Sequence, residues 1–175
     1  MCKPTVSKAL VLTFVVATVA GACLHFLFDF FPNGLTALIS PVNESLWEHL
    51  KLIYWPYLAA MFLLTRKAKG GCRGGWLLSL LLISVAMLVL GYVYHIALEQ
   101  DSMAFDIGLY VVLMALGFWL PGRLSEHACK PPLRSALPFL TVVLGCMLVL
   151  FTFLPPDHIL FADLSAVNTW YTIPY

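Results

Sequence analysis

The stretch Ser40-Pro-Val-Asn-Glu-Ser-Leu-Trp-Glu-His-Leu-Lys51 places two carboxylates, an imidazole and an ammonium at the head of the apolar run Leu52 to Leu64. Read as a helix start, Ser40 caps, Pro41 takes the first helical position, and the acids lie where the positive end of the helix dipole favours them. The apolar run alone reaches only about 20 Å at 1.5 Å per residue, against about 30 Å of hydrocarbon. If this helix crosses a membrane, Glu48, His49 and Lys51 must enter the outer edge of the bilayer. On a helical wheel Glu44, Glu48 and Lys51 then share one stripe, with Ser45 and His49 beside it.

Composition supports a membrane setting: of 175 residues, 61% are hydrophobic and 11% charged, where soluble domains carry about 25% charged residues. The chain reads as an all-α polytopic membrane protein, a five-helix bundle with spans at Lys8 to Phe31, Ser45 to Thr65, Trp76 to Leu98, Met103 to Leu120 and Ala136 to Leu154. Residues 1–154 form the transmembrane domain, and 155–175 an external tail. Of the ten Lys and Arg residues, all but Lys51 fall on one side of this arrangement, which places the N-terminus inside and the C-terminus outside. The acids show the reverse pattern, since only Glu126 lies inside. Net charge is +1, which gives no electrostatic footprint for nucleic acid.

Cys2, Cys72 and Cys129 belong to the reducing side and Cys23 and Cys146 to spans, so free thiols are expected. Ala20-Gly-Ala-Cys23 loosely imitates a lipoprotein cleavage site, but the apolar pattern continues through Phe31. Asn43-Glu-Ser45 matches a glycosylation sequon that lies too close to the membrane to be used. The basic loop Arg66 to Gly75 contains no phosphate-binding glycine motif and suits anionic lipid.

The histidines gather at the outer ends of the helices. His25 and Asp29 are four apart, as are His95 and Glu99 with Tyr92 on the same stripe, and a tight turn brings Asp106 and Tyr110 close to His95. The tail, rich in Ile159, Leu160, Phe161, Trp170, Tyr171 and Tyr175, is expected to fold over this mouth and to bring His158 and Asp163 with it. Such a collection could hold a divalent metal such as zinc, with His25, His49, His95 and Glu44 as ligands, Glu48 or Asp106 as base, and Asn43, Ser45 and Lys51 nearby. The plainer reading is open too: Glu44 and Glu48 pair with Lys51, which snorkels outward beside a Trp47, Tyr54 and Trp55 belt. Proton-coupled transport would use the same residue types, as would an accessory protein or sensor that binds a protein partner.

Two resemblances bear on these residues. The string Pro41 to Lys51, the outer His25, and Phe151-Thr-Phe-Leu-Pro-Pro156 followed by Phe161 and Asp163 resemble a family of small bacterial membrane proteins of unknown function. This implies five helices and a bacterial plasma membrane. Asn43-Glu-Ser45 with Trp47-Glu-His49 is similar to the signature of progestin/adiponectin-receptor-like proteins, in a superfamily of zinc-dependent membrane hydrolases. That likeness implies His49 as a metal ligand and Ser45 as a site residue. Together these readings favour a metal-dependent membrane hydrolase or transferase acting on a lipid or lipid-linked substrate.

Overall fold

Every regular element among the described residues is helical; the computed structural model describes residues 7–66 and 73–165. The α-helices are α1 (Lys8–His25), α2 (Leu27–Phe30), α3 (Gly34–Ile39), α4 (Leu46–Thr65), α5 (Arg73–Gly91), α6 (Met103–Trp119), α7 (Pro121–Ala128) and α8 (Leu133–Phe153), with a π-helical turn at Tyr92–Ala97 and a 3-10 turn at Ile159–Phe161.

Helix α4 is the axis of the bundle, packed by α1, α5, α6 and α8, and most of its side chains are buried, among them Leu50, Ile53, Tyr57 and Met61. Polar ties cross the interfaces: the Tyr54 hydroxyl donates to the Thr141 carbonyl at 2.8 Å, Tyr57 to Gly117 at 2.6 Å, and Tyr110 to Thr18 at 2.8 Å. Buried hydroxyls need such partners, and helix carbonyls supply them. Gly21 marks the closest approach, since a Cβ there would run into the Tyr110 hydroxyl and the Leu52 carbonyl. Leu52 is the residue whose carbonyl Pro56 cannot satisfy within α4.

The outer helices present apolar surface outward. In α1 only Ala17 and Gly21 are buried, while Val11, Leu12, Val15, Val16 and Val19 are exposed, a surface suited to lipid. Helix α1, the run Arg73–Ala97 and α8 are each long and apolar enough to cross a membrane. Helices α6 and α7, bent by 54° where Pro121 opens α7, make a fourth crossing if counted as one broken span. Helix α4 differs because Glu48, His49 and Lys51 occupy its first turns. Its 20 residues are nevertheless about 30 Å long, and its neighbours cover those charges.

Two boundaries differ from the sequence expectation, for one physical reason. The first helix was expected to run unbroken to Phe31, and Ser40 to cap the next. Instead the Ser40 hydroxyl donates to the Leu24 carbonyl at 2.5 Å and accepts from the Phe28 amide at 3.1 Å. It has inserted into the bond that Phe28 would have made to Leu24, and a side chain inserted in the ladder breaks a helix. Ser45 takes over as the cap of α4, accepting from the Glu48 amide at 3.3 Å. Glu44 therefore lies in the loop before α4 and leaves the stripe that Glu48 and Lys51 share.

That loop is fixed from beneath by a buried ion pair. The Lys51 ammonium donates to Glu48 at 2.6 Å, to the Ala37 carbonyl at 2.8 Å and to the Ser40 carbonyl at 3.3 Å, which uses all three of its donors. Glu48 also accepts from the Val42 amide at 3.0 Å and from the Thr152 hydroxyl at 3.0 Å. Four groups from α3, the loop and α8 thus meet around the two charges of α4, which have almost no exposed surface.

Candidate functional site

His25 closes α1, Glu44 leaves the loop and His49 stands in the first turn of α4, and the three side chains converge. The Glu44 carboxylate lies 3.3 Å from His49 Nε2 and 3.7 Å from His25 Nε2. The two imidazole rings meet edge-on, with centroids 5.3 Å apart. The sequence between them explains the aim: Asn43 Oδ1 accepts from the Ser45 amide at 3.1 Å, an Asx turn, and Ser45 then caps α4. Glu44 projects from between these two fixed residues.

The orientation of His49 is decided by its other nitrogen. Nδ1 lies 2.8 Å from the Ser45 carbonyl oxygen, and a carbonyl can only accept, so Nδ1 carries the hydrogen. Nε2 is left facing a carboxylate, where its lone pair calls for a cation, either a proton or a metal ion. Three ligand atoms on this site lie within 4.8 Å of one another. Tetrahedral bonds of about 2.0–2.1 Å require edges of about 3.3 Å, close to the two histidine-carboxylate distances. The hydrogen bond with His49 holds the Glu44 carboxyl below the usual carboxylate range; partial burial works against this, and the charges of His49 and His25 assist it.

A second group stands beside the first. His95 Nε2 and Asp106 Oδ1 are 2.7 Å apart, with Asp101 within the same 4.8 Å set. The π-helical turn supplies His95, and the stacked rings of Tyr94 and Phe105, centroids 3.6 Å apart, fasten that turn to the start of α6. Such turns often occur at functional positions, because the wider turn redirects side chains. Asp106 is close enough for its charge to act on His49, and Tyr110, one turn deeper, bonds α6 to the Thr18 carbonyl of α1.

The structure sorts the residues expected from the sequence. It brings together His25, Glu44 and His49, and separately His95 with Asp106. Glu48, expected as a base, is instead enclosed by Lys51, Val42 and Thr152, and Lys51 is buried rather than snorkelling. The Ser45 hydroxyl serves as a cap and Asn43 as a turn former, so both shape the site from outside. Asp29 is exposed beyond the break in α1, and His25 takes Glu44 as its carboxylate. Glu99 is exposed with φ 51° after the π-helical turn, which dissolves the stripe expected with Tyr92 and His95. Tyr92 itself is exposed.

His158 and Asp163 make local contacts: the His158 ring accepts from the Leu160 amide, and Asp163 accepts from Ser165. Phe161 packs on Trp47 and Phe151, with ring centroids 5.1 and 5.4 Å apart. Residues Trp170, Tyr171 and Tyr175 lie outside the described residues. Sequence reasoning missed Asp101 and Thr152. Asp101 had a signal, being an acid in the turn that precedes Asp106, whereas Thr152 is an unremarkable hydroxyl in an apolar helix.

A family model of unknown function, DUF6512, matches residues 2–173. The chain belongs to that family. No curated protein and no solved structure gives a match. Family membership thus covers nearly the whole chain and assigns no activity, so the chemistry has to be argued from the side chains.

Proposed function

We propose that this chain is a five-span membrane protein, N-terminus inside, that holds a divalent metal on His25, Glu44 and His49 at the outer surface and acts as a hydrolase or transferase on a lipid or lipid-linked substrate. Helix α4 counts as the fifth span, because its length suffices and its charges are covered by neighbouring helices. The basic residues beyond the opposite ends of the helices favour this orientation, and a bacterial plasma membrane suits it.

One observation carries the reading: the Ser45 carbonyl fixes the tautomer of His49, so that its Nε2 joins His25 and Glu44 as three donors within 4.8 Å of one another. Two histidines and a carboxylate are the donor set of catalytic zinc sites that keep a position for water. The metal, when bound, would polarise the substrate and acidify its water. His95, oriented by Asp106, would accept a proton and return it to a leaving group. Glu44 and Asp106 keep the site anionic, and α1 and α6 hold its walls through Tyr110. The likeness of Trp47-Glu-His49 to the receptor-like hydrolases agrees on His49 as a ligand and differs on Ser45, which caps.

Metal analysis tests this. Protein purified without chelator should carry about one zinc or similar ion per chain, lost in His49→Ala and retained in Asp29→Asn. A metal-free wild type that neither takes up zinc nor gains stability from it would overturn the proposal. In that case the same geometry, with two imidazoles around one carboxylate, supports a pH-responsive accessory or sensor protein.

A further inference from the structure

At the far end of α4 from the histidines lies a groove of about 400 Å³ between α4, α5 and α8. Its depth is apolar, lined by Leu58, Met61 and Leu77, and its polar floor residue Tyr54 is already satisfied by the Thr141 carbonyl. Its mouth is different, because Arg73 and Arg134 both line it and both are exposed. Among the described residues neither guanidinium has a carboxylate partner; Arg73 lies 6.0 Å from the centre of the Phe62 ring. Each stands in the first turn of a helix, where the dipole also favours an anion.

We infer that this groove binds one anionic phospholipid of the inner leaflet, its phosphate held between Arg73 and Arg134 and an acyl chain laid against Leu58, Met61 and Leu77. The charge pattern decides the class. A lipid without a phosphate would leave two guanidiniums unpaired, a zwitterionic phospholipid would bring its own cation up to them, and a soluble phosphate would leave the apolar depth unfilled. Arginine suits a phosphate because its planar fork can bond two oxygens at once. Arg66, Arg123 and Lys130 belong to the same end of the molecule, and the inner leaflet is the anionic one. The inference rests on the membrane orientation proposed above and not on the metal.

Native mass spectrometry and thermal melting in a neutral detergent test it, with phosphatidylglycerol, phosphatidylcholine and inorganic phosphate as probes and zinc content measured on the same samples. Phosphatidylglycerol should bind at one per chain, at least tenfold tighter than phosphatidylcholine, and should raise the melting temperature, whereas phosphate at equal concentration should not. Arg134→Gln, and Arg73→Gln with it, should remove the preference without changing helix content or zinc content. Equal binding of the two lipids by the wild type would overturn the inference, as would a preference that survives both substitutions. Protection by phosphate alone would overturn the lipid in favour of a bare anion site. Loss of zinc with the lipid preference intact would count against the metal only.

Discussion

Glu48→Gln removes the counter-charge of Lys51, an ammonium with no exposed surface, and leaves the amide one oxygen for the three donors that Lys51, Val42 and Thr152 aim at the carboxylate. Removing one partner of a buried ion pair costs about 3–5 kcal/mol, because the remaining charge stays desolvated. For a chain of this size about 2–4 °C accompanies each kcal/mol, so the melting temperature should fall by roughly 6–20 °C. Changing Lys51 to Met as well removes the stranded charge while keeping an unbranched chain in its channel, and most of the loss should return. Circular dichroism melts of wild type, both single variants and the double variant give the coupling directly. A loss below about 1 kcal/mol in Glu48→Gln, or a double variant no better than that single one, would refute the structural role given to the pair. A double variant that melts like wild type and keeps its metal but loses its catalysis would return Glu48 to the position of base.

Ser40→Ala deletes the hydroxyl inserted between the Leu24 carbonyl and the Phe28 amide. The Leu24 carbonyl and the Phe28 amide should then pair with each other, so that the end of α1 re-forms and carries His25 away, and zinc affinity should weaken, measured by zinc titration. In the metal-free protein Glu44 gives a pH dependence whose sign is fixed: its carboxyl is held below the ordinary value of about 4.3, so its stabilising contribution is present above that value and is lost as the pH falls through the lower folded value. Melting temperature against pH should therefore lose part of its acid-side slope in Glu44→Gln, and an unchanged slope would refute the pairing with His49.

How much of this could be read in the sequence depends on whether the deciding partner lies nearby in the chain. The apolar runs and the turn that brings Asp106 to His95 are local signals, and the structure has helices over the former and a 2.7 Å contact at the latter. The end of α1 depends on Ser40, sixteen residues past Leu24, and a serine carries no sign that it will insert into another helix. The true cap of α4 was legible, because Ser45-Leu-Trp-Glu48 is a capping pattern, but the proline after Ser40 offered a competing start. The partner of His25 followed from that choice. With the helix begun at Ser40, Glu44 belongs to the stripe of Lys51; with the helix begun at Ser45, Glu44 is free to meet two histidines from the loop.

Satisfaction of hydrogen bonds separates the two polar centres more sharply than residue type does. Around Glu48 and Lys51 each donor and acceptor has a partner from the chain itself, so a ligand would have to displace a bond already made. Around Glu44 the described residues supply two histidine nitrogens and a half-exposed carboxylate but no cation beyond a proton to set among them. A buried, completed network contributes to folding and fixes the loop, whereas an exposed, incomplete one can exchange partners without unfolding anything. The same stretch of twelve residues, Ser40 to Lys51, thus holds both: Lys51 and Glu48 lock the backbone from below, and the rigidity they confer is what lets Glu44 and His49 hold their spacing at the surface.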